Sequence, residues 1–177
     1  MRLTKFSDYA LRVLMYAASK GDRLATIEET AELYGVSRAH LKKVVMLLTQ
    51  EGFLRGHRGR SGGFELAMAP EDINLGQVLR ATEPDFGMVE CFLPDNLCRV
   101  TRRCRLPAIV NEALDGFLSA FDRYSLADIL MEERSFQIAV QGVQPTRGPH
   151  LPGVGSAGRA ESAPDGGTPT KGDMPGA

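Results

Sequence analysis

Cysteine is scarce in this chain: three residues, Cys91, Cys98 and Cys104, are all it has in 177. They leave no even set for an intramolecular disulfide framework, and none stands in a C-x-x-C pair of the kind that thiol redox enzymes use. Long apolar runs are also missing. No stretch approaches the roughly 18 residues that mark a membrane span, and the opening MRLTKFSDYALRVL carries an early acid and no apolar signal core. The expectation is a cytoplasmic protein with no membrane partner, in a compartment where thiols stay reduced. Net charge is nearly absent at −1, so the composition names no partner. The glycine-rich run Gly59-Arg-Ser-Gly-Gly63 lacks the Gly-Lys-Ser/Thr ending and the following helix of a phosphate-binding loop, which disfavours a nucleotide-hydrolysing enzyme. No enzymatic activity is expected.

What is present is patterned. An apolar content of 43 % suffices for a real core. Phe6, Tyr9, Ala10, Val13, Leu14 and Ala17 recur at three- and four-residue steps and predict one face of a first helix, ended by Gly21. Thr26-Ile-Glu-Glu29 has the spacing of a capping box, in which hydroxyl and carboxylate each satisfy a free amide at a helix start; that helix should bury Ile27, Ala31 and Leu33 or Tyr34. Gly35-Val-Ser37 then supplies a residue suited to a left-handed turn and a cap for a third helix reaching about Gln50. Its inward residues are Leu41, Val44, Val45 and Leu48, which leaves Arg38, Ala39, Lys42 and Lys43 on the other side. A helix, a glycine turn and a helix with an exposed basic face form a helix-turn-helix.

The next segment predicts a wing. Phe53-Leu-Arg55 and Phe64-Glu-Leu66 read as short strands around a glycine-rich tip that carries Arg58 and Arg60. From Gly35 to Leu66 there are six Lys/Arg against two Glu, a local positive field inside a near-neutral whole. Candidate contacts to a double-stranded DNA operator are Ser37, Arg38, His40, Lys42 and Lys43 on the third helix, with Arg58 and Arg60 reaching phosphate or a narrow minor groove. Ile73, Leu75, Val78 and Leu79 predict a further short helix packed back on this unit.

Between that helix and a long amphipathic one lies Cys91-FLPDNL-Cys98-RVTRR-Cys104. Zinc sites usually have shorter cysteine gaps and a fourth ligand nearby, so an iron–sulfur cluster lacking one protein ligand fits these thiols better. The competing reading is three unconnected small hydrophobes, because free cysteine is often simply buried. Leu106, Ile109, Val110, Ala113, Leu114, Phe117, Leu118 and Phe121 follow as one apolar stripe. Burial against a copy of itself would make a two-fold dimer and present two reading heads to a palindromic site; packing within the chain is the plainer alternative. Ser125-Leu-Ala-Asp128 repeats the capping-box spacing ahead of a short helix through Ile129 and Leu130. From Gln144 onward, fourteen of 34 residues are Gly or Pro, which predicts a disordered tail.

The fold class expected is therefore mainly α. Residues 1–82 form a winged helix-turn-helix domain with a β-hairpin wing, 83–105 a cluster-binding loop, 106–135 a dimerisation helix and a short terminal helix, and 140–177 a Gly/Pro-rich tail.

The opening MRLTKFSDYALRVLMY, the turn and helix YGVSRAHLKKVVMLL, the wing RGRSGGFELA, the spaced cysteines and the ending FDRYSLADIL together resemble a family of winged-helix, iron–sulfur-dependent bacterial transcription regulators, and within it the nitric-oxide-sensing repressors. The likeness covers about residues 1 to 135. It implies a homodimer with a cluster near the subunit boundary, [4Fe-4S] in first place and [2Fe-2S] in second, held by Cys91, Cys98 and Cys104 of one chain. The remaining iron would be ligated by an aspartate in the first helix of the other chain, where this sequence has Asp8. A related regulator of iron–sulfur assembly uses a histidine three residues past the last cysteine; here that residue is Pro107. An iron-responsive relative keeps the cysteines without a carboxylate at the place of Asp8. Nitric oxide is thus the implied signal and relief of repression the implied response, with iron or iron–sulfur status the alternative.

Overall fold

The computed structural model describes residues 3–59, 61–92 and 95–131. The expected tail and residues 132–135 lie outside this range. Among the described residues there are five α-helices, α1 Lys5–Ala18, α2 Ile27–Tyr34, α3 Arg38–Gln50, α4 Leu75–Thr82 and α5 Leu106–Phe121, and one antiparallel hairpin of β1 Leu54–His57 and β2 Gly63–Leu66. Short 3₁₀ turns stand at Pro70–Asp72, Glu90–Phe92, Thr101–Arg103 and Ala127–Ile129. The mainly α, winged helix-turn-helix architecture matches the sequence expectation.

Local chemistry sets the helix starts. Thr4, Thr26, Ser37 and Asn74 each adopt extended backbone and accept from an amide three residues on, at 3.0–3.3 Å. Removing such a cap costs about 1 kcal/mol. Gly35 closes α2 at φ +61, the left-handed region that glycine enters without a Cβ clash.

Three local expectations need correction. Helix α1 stops at Ala18, and Gly21, at φ +56, belongs to the turn that follows. The Thr26–Glu29 box forms only its hydroxyl half; the Glu29 carboxylate turns instead to Arg23 at 2.7 Å and the Tyr16 hydroxyl at 3.4 Å. At Ser125 the box runs the other way round. The Asp128 carboxylate accepts from the Ser125 N–H (2.7 Å) and hydroxyl (2.8 Å), and only one 3₁₀ turn follows.

The core draws on every element of the reading head. Ala10, Val13 and Leu14 of α1, Leu41, Val44 and Leu48 of α3, Phe64 of β2, Ile73 and Val78 are all but inaccessible. Each large aliphatic or aromatic side chain among them contributes about 1.5–3 kcal/mol of burial. In α2 the fully buried residue is Thr30, whose hydroxyl donates to Thr26 O at 2.6 Å; Ile27, Ala31, Leu33 and Tyr34 are half-buried against the core.

The hairpin pairs Leu54 with Leu66, Arg55 with Glu65, Gly56 with Phe64 and His57 with Gly63. Alternation along the strands turns Leu54 and Phe64 inward and Arg55 and His57 outward. Ala25, in the α1–α2 connection, adds a one-residue third strand, exchanging hydrogen bonds with Phe64 at 2.8 and 2.9 Å. Here Gly63 lies so close to the Ala25 carbonyl that a Cβ would overlap it.

Helix α5 divides along its length. Its C-terminal half docks on α4, with Leu114 and Leu118 buried. Arg80 grips the Asp122 carboxylate through both terminal nitrogens (2.5 and 2.8 Å), and Asn74 Nδ2 donates to Asp122 O at 2.8 Å. The Arg80 hydrogen bond is the main reason the Asp122 carboxyl stays below its ordinary range. At the other end Leu106 and Ile109 stand 48 % and 61 % exposed. Part of the stripe expected at a dimer interface is therefore used inside the chain.

Candidate functional site

Two surfaces carry the candidate chemistry. The first is the exposed side of α3 and the hairpin. Packing of Leu41, Val44 and Leu48 on α1 holds α3 so that Arg38, Ala39, Lys42 and Lys43 face solvent. Arg38, Lys42, Lys43 and the wing-tip Arg58 take part in no ion pair among the described residues. Their charge is available to an anionic partner. Ser37 and His40 are exposed, but their polar atoms serve each other: Ser37 Oγ accepts the His40 N–H at 3.3 Å and lies 3.0 Å from Nδ1. Arg60 lies outside the described residues.

A charged group on the wing escaped the sequence reading. Glu65 Oε1 lies 2.9 Å from His57 Nε2 and 3.8 Å from Arg55 Nη1. The detectable signal was the strand alternation, which puts these three on the outward face once the Arg55–Glu65 pairing is known.

The second surface is the segment from α4 to α5. Cys91 sits half-buried in the turn Glu90–Phe92, and Cys98 and Cys104 are exposed. Three thiols so placed are not the buried hydrophobes of the competing reading. Two polar residues that the sequence reading did not single out shape this loop. Asn96 Oδ1 accepts the Cys98 N–H at 2.9 Å, Asn96 Nδ2 donates to Thr101 Oγ1 at 3.0 Å, and that hydroxyl donates to Cys98 O at 2.9 Å. The Leu106 N–H at the start of α5 donates to Cys104 Sγ at 3.4 Å. In kind, the donor set fits an iron–sulfur cluster: soft sulfur donors, two of them exposed, one already receiving an amide hydrogen bond of the sort that tunes cluster sulfurs. Among the described residues of the single chain, however, no three His, Cys, Asp or Glu side chains gather into a metal site.

Asp8 lies in the first turn of α1 and pairs with Arg12 Nε at 3.0 Å, both side chains nearly half exposed. Arg12 in turn lies over the Tyr34 ring. Within one chain the carboxylate is thus brought to an arginine and not to a cysteine. Pro107 occupies the first turn of α5, where it fits helix geometry and offers no metal donor. Arg99, Arg102, Arg103 and Arg105, in the same stretch of sequence, are exposed.

A basic recognition helix behind a glycine turn, a two-stranded wing and an appended long helix define a winged helix-turn-helix regulator. The chain belongs to the Rrf2 family, described as iron-dependent transcriptional regulators, whose profile matches residues 3–132. It is 46 % identical over 132 residues to the HTH-type transcriptional regulator NsrR of Bacillus subtilis, covering 73 % of this chain and 90 % of that protein. To the NsrR regulator of Bacillus licheniformis it is 43 % identical over 135 residues, 75 % of this chain and 94 % of the relative. These names bear out the resemblance drawn from the motifs and describe regulators of transcription, not enzymes. Among solved structures, T. potens IscR superposes with a TM-score of 0.56 at 21 % identity over 82 % of this chain and 94 % of that one. CymR of B. subtilis does so at 0.54 and 24 %, covering 73 % and 95 %. At these identities the superpositions speak for the fold alone. No helix among the described residues is long and apolar enough to cross a membrane.

Proposed function

We propose that this chain is a DNA-binding transcriptional repressor that acts as a homodimer at an operator, with an affinity that depends on an iron–sulfur cluster and falls in response to nitric oxide. The observation that carries this reading is the placement of three accessible thiols on the one segment joining the DNA-reading head to α5.

Cys91, Cys98 and Cys104 would hold the cluster, and Asp8 of the partner subunit would complete it with a harder oxygen ligand. When bound, the group supplies thiolate-ligated irons, [4Fe-4S] in first place, at which nitric oxide reacts. The protein's part is positional. The exposed Leu106 and Ile109, with Leu97 and Val100 nearby in sequence, offer an apolar face for a second copy. A two-fold pairing would set the two α3 helices apart by about the 34 Å that separates adjacent major grooves on one side of a duplex. Arg38, Lys42 and Lys43 would enter the groove, with Ser37 and His40 at the start of the helix and Arg58 and Arg60 on the backbone beside it. A tie from the cysteine segment of one chain to α1 of its partner would fix that spacing. By linkage, whatever a tie of this kind adds to DNA affinity, DNA adds to retention of the ligand that makes it.

Native mass spectrometry of anaerobically purified protein, titrated with nitric oxide, tests this directly. The expected result is a dimer carrying cluster mass, lost stepwise as nitric oxide is added, and a colourless Cys98→Ala variant without repression. A Cys98→Ala variant that still represses and still responds to nitric oxide would overturn the proposal. A second reading, a sensor of iron or iron–sulfur status, draws on the family's description as iron-dependent; protein that keeps its cluster under nitric oxide but loses it to a chelator would favour it.

A further inference from the structure

Among the described residues of the wing, Glu65 is the one acid on the outward face, and it stands beside the Arg55 guanidinium. Register places it directly across from Arg55 and diagonally from His57. The same oxygen, Oε1, faces both, at 3.8 Å from Arg55 Nη1 and 2.9 Å from His57 Nε2. None of the three is buried: the Arg55, His57 and Glu65 side chains are 65 %, 41 % and 35 % exposed. Their backbone, by contrast, is fixed. Inward Leu54 and Phe64 are buried on the opposite face, and the Ala25 bridge holds Phe64 in register. An exposed ion pair on a fixed hairpin adds little to stability, typically 0–1 kcal/mol, so fold stability alone gives little reason for a carboxylate here.

Its electrostatic effect on a ligand is larger. A cation on the wing contributes to DNA affinity by displacing counterions from phosphate, about 0.9 in the slope of log K against log salt for each contact. A carboxylate ion-paired with that cation, as Glu65 is with Arg55, competes for the same charge. We infer that Glu65 is a positioning residue of the DNA interface: it holds the His57 ring by a hydrogen bond on the outward face of the hairpin and keeps part of the Arg55 charge from phosphate, which limits binding to arbitrary sequence. This rests on the DNA-binding reading above and adds to it a residue that weakens contact by design of the surface. Arg38, Lys42, Lys43 and Arg58, which have no such acid partner among the described residues, keep their full attraction for DNA.

The test compares wild type, Glu65→Gln, Arg55→Ala/His57→Ala and the triple variant for binding a random-sequence DNA duplex across a salt series, with circular dichroism as a control on folding. Glu65→Gln keeps an acceptor for His57 and removes the charge. It should bind the duplex several-fold more tightly and steepen the salt slope by up to about 0.9 as Arg55 is freed. In the Arg55→Ala/His57→Ala background the same change should have little effect on slope or affinity. An unchanged slope in Glu65→Gln, or an equal gain with and without Arg55 and His57, would overturn the inference, the latter because Glu65 would then only repel DNA by itself. Absence of salt-dependent binding in the wild type would instead count against the DNA-binding reading.

Discussion

The Glu83 carboxylate, at the residue where α4 ends, accepts both the backbone N–H of Thr4 at 2.9 Å and its hydroxyl at 3.2 Å. Thr4 also caps α1. One side chain therefore starts a helix and ties it to the element from which the cysteine segment departs. Just behind it, buried Thr82 donates to buried Ser7 at 2.9 Å, a second polar link between α1 and α4. Thr4→Ala should lower unfolding free energy by about 1–2 kcal/mol, the usual cost of a lost cap and its partner bond, while Thr4→Ser should stay near wild type. Urea denaturation would decide it; equal losses in both variants would mean that the methyl, and not the hydroxyl, matters.

At the wing, Gly63→Ala should destabilise by about 1–3 kcal/mol, the range for forcing extra volume into a packed site, because the new methyl meets the Ala25 carbonyl, which is backbone and cannot swing aside. The variant should also lose amide-exchange protection at Phe64, whose N–H donates to Ala25 O. Hydrogen exchange that leaves this amide protected would show that the one-residue third strand does not depend on the close approach.

Acid should weaken the fold through paired carboxylates. The Arg23 hydrogen bond holds Glu29 below its ordinary 4.5, and the Arg80 hydrogen bond holds Asp122 below 3.8. A depressed folded value means that the stabilisation is fully present above the ordinary value and is lost as pH falls through the folded one. Melting temperature should therefore hold steady from neutral pH to about 5 and decline from about 4.5 downward. In Arg80→Ala the Asp122 part of that decline should vanish. Parallel acid profiles for the two proteins would show that the pair, being exposed, couples too weakly to register.

Asp8 separates two roles by one substitution. As half of an exposed i,i+4 pair with Arg12 it contributes about 0.2–0.5 kcal/mol to the helix. Asp8→Asn should accordingly leave the melt nearly unchanged and, if the carboxylate ligates iron across the dimer, shorten the lifetime of the visible chromophore in air. A chromophore as long-lived as in the wild type would leave Asp8 with the helix role alone.

How far the sequence could be read depended on the range of the interaction. Periodicity located the buried positions of α3 and the buried aliphatic ones of α4, because Leu41, Val44, Leu48, Leu75, Val78 and Leu79 obey a local geometry that needs no knowledge of the rest; buried Gly76 and Thr82 carry no such signal. Gly35 and Ser37 were legible for the same reason. Glu29 was not: its alternative partners, Arg23 and Tyr16, come from other segments, and a guanidinium outcompetes an amide for a carboxylate. The Ala25 bridge was hidden because one residue carries no alternation. On α5 the stripe was correct in phase, but no pattern within it could tell Leu118, which α4 covers, from Ile109, which it leaves open. The cysteine spacing pointed to candidate donors, while Asn96 and Thr101, which shape their loop, had no signature of their own.

The Arg80–Asp122 fork gives α5 a mechanical character. Its C-terminal half is held on α4 by Leu114, Leu118 and the fork, so the free arm is the eight residues from Leu106 to Ala113, about 12 Å at 1.5 Å each, with Cys104 next to its open end. A lever gripped near its load trades distance for force. A tilt of about a tenth of a radian sweeps the cysteine end through about 1.2 Å on that length yet barely shifts the fork, so a weak pull at the far end becomes a stronger push on α4. Loosening the fork, as in Arg80→Ala, would leave that push to the Leu114 and Leu118 contacts.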